Sequence, residues 1–218
     1  MADPVFPTGH AWSVVTQLGS ATLALPTLAL TVTGLWQSRQ RIAALIWVLG
    51  LAVAIAVTLA SKILFLGWGI GIQFLDFTGI SGHTLLATSV LPVLFSSLLA
   101  PDQLRFRVAG AFFGLLVGAG VAMSRVVLGA HSVSEVVCAW LIGFVLTVIT
   151  VKSMENQKQR PWIVYLAPFI LLFAFSARYS NYLPTHGWEI DLALFVSGHD
   201  KPYTRLQQHS LARYPFAA

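Results

Sequence analysis

Two short polar clusters interrupt an otherwise oily chain: Ser81-Gly82-His83, and Ser124-Arg125 followed by His131 and Glu135. Arg125 offers a planar fork of donors that matches phosphate oxygens two at a time. His131 and Glu135 stand four apart, which puts them on one helix face, so the carboxylate can accept one imidazole N–H and fix the tautomer. The other ring nitrogen is then free to act as a nucleophile or a base. Ser81-Gly82-His83 stands just ahead of an apolar run, where the first amides of a helix lack internal partners and carry the positive end of its dipole. Gly82 permits close backbone approach to an anion, the Ser81 hydroxyl adds a donor, and His83 sits at the same anion. A serine, a glycine amide, an arginine and two histidines are what a site for a phosphate group requires.

Each cluster also has a plainer reading. Ser81 and His83 can simply cap and line a helix start. Ser132-Val133-Ser134-Glu135 fits the capping box S-x-x-E, and an arginine near a membrane surface can snorkel as an anchor. Depth favours function, because ionisable groups are costly inside a membrane.

The elements that must carry these clusters are membrane spans. Charged residues make up 10% of the 218 and hydrophobic ones 56%, against about a quarter charged in ordinary soluble domains. The mean hydropathy is +0.76, concentrated in long runs nearly free of charge. The expected fold is all-α, an integral membrane bundle of six transmembrane helices over 1–177, with a polar tail over 178–218. The spans fall at about 13–35, 42–66, 84–100, 106–123, 133–151 and 162–177, each near the ~20 residues that cross a bilayer. Trp12 and Trp36 bracket the first as interfacial anchors. Pro26 within it is tolerable because neighbouring helices can satisfy the freed carbonyl. Met1-Ala2-Asp3-Pro4 lacks the basic region of a cleaved signal peptide, so the first run is expected to be retained.

Charge sets the orientation. Arg39, Arg41, Arg105, Arg107, Lys152, Lys158 and Arg160 follow the odd-numbered spans, whereas the other short connections hold only Lys62 and Arg125. By the positive-inside rule the odd spans end in the cytoplasm, and both polar clusters lie on the opposite face. The net charge of +5 is thus a matter of topology, and no nucleic-acid partner is expected. Cys138 has no partner for a disulfide within one chain and reads as a small packing residue.

Gly110, Gly114 and Gly118 form one smooth helix stripe, suited to close packing. The run Gly67-Trp68-Gly69-Ile70-Gly71 is not a phosphate loop of the G-x-x-x-x-G-K-[ST] kind and reads as a flexible or tightly turning lid. In the tail, Trp188, Leu192 and Phe195 suit a short helix facing a membrane surface. A second Ser-Gly-His at Ser197-Gly198-His199 has no arginine cluster beside it and carries little weight.

These residues resemble the type 2 phosphatidic acid phosphatase superfamily, with motifs K-x6-R-P, P-S-G-H and S-R-x5-H-x3-D. Ile80-Ser81-Gly82-His83 stands for the second motif, and Ser124-Arg125 with His131 and Glu135 matches the third, with Glu for Asp. The resemblance spans about 62–146 and implies metal-independent hydrolysis of a phosphate ester, with no cofactor. It implies a lipid phosphate or diphosphate substrate, in the inner membrane, with the site on the extracytoplasmic face. By the same resemblance His131 attacks phosphorus to form a phosphohistidine, Glu135 orients it and His83 protonates the leaving oxygen. Lys62, Ser81, Gly82, and Ser124 or Arg125 hold the phosphoryl oxygens. Where Arg-Pro should follow Lys62 stand Gly69-Ile70, so one phosphate-binding arginine must come from elsewhere, with Arg178 a candidate. The alternatives are a phosphotransferase using the same site, and a phospholipid binder that kept the fold and lost turnover.

Overall fold

The computed structural model describes residues 8–98, 103–155, 163–179 and 185–208. Apolar runs without strand-like alternation become helices: α1 (Thr8–Thr16), α2 (Ala21–Gln37), α3 (Arg41–Trp68), α4 (Gly82–Leu98), α5 (Leu104–Val127), α6 (Val133–Ser153), α7 (Ile163–Tyr179) and α8 (Thr185–Ser197). Among the described residues the nearest thing to a sheet is one bridge between Ile72 and Phe77. α3, α5 and α6, of 28, 24 and 21 residues, are each long and apolar enough to cross a membrane. Their outward faces show Leu49, Val53, Phe112, Leu116, Leu141 and Val145 exposed, the surface lipid would cover. α4 and α7 are shorter, 17 residues each, a rise of about 26 Å at 1.5 Å per residue.

The first expected span is not one straight helix. α1 and α2 meet at 42° across a single 3-10 turn, and together they make a fourth candidate crossing. The break falls at Gly19 rather than Pro26, which sits inside α2. Gly19 lies against the His83 carbonyl and Val121, where any side chain would collide with backbone.

α4 is the axis of the bundle, with Leu85, Ala87, Val90, Leu91, Val93 and Leu94 all buried. α5 reaches it through its glycine stripe: Gly110 faces the backbone at Phe95, Gly114 that at Pro92, and Gly118 faces Thr88. Gly143 of α6 closes on Thr88 from the other side. Small residues let helix backbones approach where lipid offers no hydrophobic drive to associate. Pro92 removes the amide that would bond the Thr88 carbonyl. Thr147 of α6 fills that vacancy, its hydroxyl donating to Thr88 O at 2.9 Å, and Trp47 of α3 donates to the next carbonyl, Ser89 O, at 2.9 Å.

At the end of the bundle away from the polar clusters, Arg107 is buried rather than free. Its guanidinium donates to Met154 O at 2.7 Å and Glu155 O at 3.0 Å, closing the carboxyl end of α6. Arg105 stays exposed, while Lys158 and Arg160 lie outside the described residues.

Replacing Gly143 by valine should lower the midpoint of thermal unfolding in detergent, since over-packing costs about 1–3 kcal/mol. Gly120→Ala, where a Cβ meets nothing within 4 Å, should leave the midpoint unchanged or slightly raised. Equal effects of the two would show that the α4–α6 contact does not limit stability.

Candidate active site

The ends of four helices deliver the polar clusters to one place. α5 stops at Val127, and Gly129 takes the left-handed conformation, φ 65°, that turns the chain back. The Arg125 carbonyl accepts the amides of Ala130 and His131 at 3.0 and 3.2 Å. Ser132 then starts α6 as its N-cap. The spacing between Arg125 and His131 is therefore that of a helix end, a glycine turn and a cap. It sets the histidine beside the arginine.

Glu135 is fully buried, at 0% exposure, in the first turn of α6. Its Oε2 accepts from His131 Nδ1 at 2.7 Å and from the Ser132 amide at 3.1 Å. Its Oε1 accepts from the Thr78 amide at 2.7 Å and the Thr78 hydroxyl at 2.6 Å. The capping box and the histidine contact, separate readings of the sequence, are thus made by one carboxylate. Because an ionised carboxylate only accepts, Nδ1 carries the proton and Nε2 keeps its lone pair.

His131 lies outside the helices. Burial pushes its pKa below the ordinary 6.5; the Glu135 hydrogen bond and charge oppose this, Lys62 and Arg125 add to it, and the net shift is downward. The imidazole is therefore neutral at pH 7.

Ser81 is buried, its amide donates to the Glu135 carbonyl at 3.4 Å, and its hydroxyl accepts from Thr84 at 3.1 Å. Gly82 and His83 fall inside the first turn of α4 rather than ahead of it. Over Gly82 there is open space: a Cβ there would meet nothing within 4 Å. His83 lies within electrostatic range of Arg125, Lys62 and His131. Arg125 donates to the Thr16 hydroxyl at 3.1 Å, and its Nε is buried without a partner. Ile80, standing for the motif's proline, is buried and donates its amide to the Ser61 hydroxyl at 3.0 Å, a bond proline could not make.

Two expected phosphate ligands are otherwise engaged. The Ser124 hydroxyl donates to Val121 O at 2.6 Å within its own helix and is buried, so its hydrogen is spent. Lys62 is paired with Glu189 of α8 at 2.7 Å. The side chain of Arg178 lies outside the described residues.

The polar tail folds back over this end of the bundle. α8 packs on α3, with Gly67 against Ala193 and Ser197, and its Trp188, Leu192 and Phe195 are exposed. His199 of the second Ser-Gly-His ties its Nδ1 to Gly67 O at 2.6 Å, a structural anchor. Gly69 caps α3 in the left-handed conformation, and the Tyr203 ring packs on it. The glycine-rich run is thus a helix cap and a landing surface for the tail, not a lid. Arg205 follows, donating to Asp76, Thr78 and Glu135. No spacing pattern in the sequence points to it; the one available signal is the motif's missing cation.

Residues 68–159 match the PAP2 superfamily. The chain is 32% identical over 214 residues to an uncharacterised 22.5 kDa protein in the cps region of Klebsiella pneumoniae, covering 92% of this chain and 99% of the relative. No solved structure matches it. Lys62, Glu189 and Arg205 fall outside the family match, whereas the second and third motif residues fall inside it. The chain therefore belongs to the PAP2 superfamily, which supports a phosphatase-type function for this bundle of membrane-type helices.

Proposed function

We propose that the protein is a metal-independent membrane phosphatase hydrolysing a lipid phosphate or diphosphate monoester through a phosphohistidine. The observation that carries this is the His131–Glu135 hydrogen bond of 2.7 Å, which leaves a neutral imidazole with its Nε2 lone pair beside Arg125. That lone pair forms the N–P bond as the ester P–O bond breaks. The leaving oxygen takes a proton from His83 in its imidazolium form, which the charge of the bound phosphate would stabilise. Water then attacks phosphorus, His83 takes back a proton, and inorganic phosphate leaves. Arg125, with its unpartnered Nε, and the Gly82 amide bind the phosphoryl oxygens, Ser81 supports them from the residue before α4, and Lys62 joins when its pairing with Glu189 yields. Phosphoryl transfer is catalysed mainly by such positioning and charge stabilisation. The setting of the site at the ends of apolar helices supports a lipid substrate, reached from the bilayer.

Two observations favour a second reading, a phospholipid binder without turnover: Lys62 is neutralised by Glu189, and the motif's Arg-Pro is missing. Phosphate release from a panel of lipid phosphates in detergent, with a chelator present, separates the two. The phosphatase reading expects chelator-resistant release that His131→Ala lowers on the order of 10³-fold or more. Full activity in that variant would remove His131 as the nucleophile. No release from any substrate, with binding retained, would establish the binder.

The pH dependence follows from His131. Attack needs the neutral ring, and its pKa lies below 6.5. The acidic limb of kcat/KM is therefore expected below pH 6.5, with activity lost only as pH falls through that lowered value. A limb above 6.5 would contradict a desolvated, neutral nucleophile.

The site is further proposed to face away from the cytoplasm in a bacterial-type inner membrane. Arg39, Arg41, Arg105 and Lys152 gather at the opposite end, although Arg107 is engaged in closing α6 and counts for less. Arg105→Cys in a Cys138→Ser background should react with an impermeant maleimide only after cells are permeabilised. Labelling in intact cells would invert the orientation.

A further inference from the structure

The C-terminal segment brings a guanidinium to the carboxylate that orients His131, and the mechanism above makes no use of it. Arg205 lies 70 residues beyond Glu135 in the chain. Its Nη1 donates to Asp76 Oδ2 at 2.6 Å. Its Nη2 donates to Glu135 Oε1 at 3.0 Å, to Glu135 Oε2 at 3.1 Å and to the Thr78 hydroxyl at 3.1 Å. A planar fork can span two carboxylates on different elements in this way, each through its own nitrogen, whereas an ammonium would have to reach both from a single nitrogen.

The segment bearing Arg205 is held in register along the end of α3 and the loop after it. The Tyr203 amide donates to Leu66 O at 2.9 Å, and Gln73 Nε2 donates to Gln208 O at 2.8 Å. Gly69 and Gly71 make room for it: a Cβ at Gly69 would come within 2.8 Å of the Tyr203 ring, and one at Gly71 within 2.7 Å of Gln208 Nε2. The guanidinium is therefore delivered by a docked backbone rather than by a wandering tail.

We propose that Arg205 is a positioning residue of the phosphatase site, pinning the Glu135 carboxylate and, through it, the His131 ring. The inference rests on the phosphatase reading above. Glu135 Oε2 is shared by His131, the Ser132 amide and Arg205, so the plane of the carboxylate decides where the imidazole points. Arg205 also balances its charge. Around His131 stand Glu135 from α6, Arg125 from α5, Lys62 from α3 and His83 from α4. With Arg205 removed, the uncompensated carboxylate favours imidazolium, and a protonated ring has no lone pair for phosphorus. The guanidinium thus keeps the pair as carboxylate and neutral imidazole.

The test uses the full chain in detergent, with dioctanoyl phosphatidate micelles and p-nitrophenyl phosphate as probes. Arg205→Ala should lower kcat on the order of tenfold or more, as expected for losing a hydrogen bond to a charged group, while KM changes little. Millimolar guanidinium should restore part of that kcat, and Arg205→Lys, which reaches one carboxylate, should retain part of it. NMR titration of His131 gives a readout independent of turnover: its midpoint should move to higher pH in Arg205→Ala. If the alanine variant fails to fold, Arg205→Lys carries the same comparison, with a smaller shift in the same direction. Unchanged kcat with raised KM would make Arg205 a substrate contact and overturn the proposal, as would an unmoved titration midpoint. Should the wild type turn over neither probe, the lipid panel above, diphosphates included, decides the phosphatase reading, and the midpoint decides separately whether Arg205 acts on His131 through Glu135.

Discussion

The structure of the site depends on one buried carboxylate. Glu135 has no exposed surface, yet five donor atoms surround it: the Thr78 amide and hydroxyl, the Ser132 amide, His131 Nδ1 and Arg205 Nη2. An unpaired carboxylate at that depth would cost several kcal/mol. A saturated one does the opposite and couples whatever supplies the donors. Here the donors come from the loop after α3, the cap of α6, the turn after α5 and the C-terminal segment. Three pieces of chain distant in sequence, at residues 78, 131–132 and 205, thus meet at one residue, and none can shift without leaving an acceptor short. The single methylene by which Glu exceeds the family's Asp fits this role, since the longer arm reaches back both to its own N-cap and to His131 before it.

The bundle brings those pieces together through α4. Its neighbours approach over glycines, so the backbones of α5 and α6 both lie against Thr88, and that of α5 against Pro92 as well. Close approach has a consequence for polar groups. A proline in a buried helix frees a carbonyl that neither water nor lipid can satisfy, and Thr147 is near enough to supply the donor because Gly143 has let α6 in. The same logic operates at the far end, where Arg107 answers the two carbonyls just past α6, those of Met154 and Glu155, and complements the negative end of its dipole. Helix ends are the places where this fold must find partners for backbone groups. One end is closed by a structural arginine, and the other carries the candidate site.

Periodicity and motif made the spine of this arrangement legible in the sequence. Spans 42–66, 106–123 and 133–151 reappear within α3, α5 and α6, because a long apolar run has few other ways to satisfy its backbone. The glycine stripe of α5 packs as its spacing implies. The His131–Glu135 bond was readable from its spacing, though not for the reason of a shared helix face: His131 lies one residue before the Ser132 cap, and the Glu135 side chain folds back to reach it. What escaped was set by contacts distant in sequence. The break at Gly19 comes from the His83 carbonyl on another helix. The glycines after α3 serve a tail whose docking no local pattern announces. Arg205 sits in a stretch with no motif, and it is the kind of residue that a missing Arg-Pro asks for without saying where to look. Ser124 matched its motif and still turned inward, since a buried serine near a helix end readily bonds a carbonyl of its own turn.

The pairing of charges bears on how such a site meets an anion. Three cations, Lys62, Arg125 and Arg205, stand with three carboxylates, Asp76, Glu135 and Glu189. Arg205 is committed to two of those carboxylates, one of them fully buried, so a phosphate competing for it would break contacts on two elements. Lys62 is committed to one, Glu189, whose side chain is 20% exposed and stands on α8 rather than in the bundle core. Arg125 is committed to none of the three; its partner is a neutral hydroxyl, and its Nε has none. On the proposed phosphatase reading, an incoming phosphate would meet the least resistance at Arg125, then at Lys62, and the most at Arg205. That order separates the cations that can bind a phosphate from the one better suited to holding the site in shape.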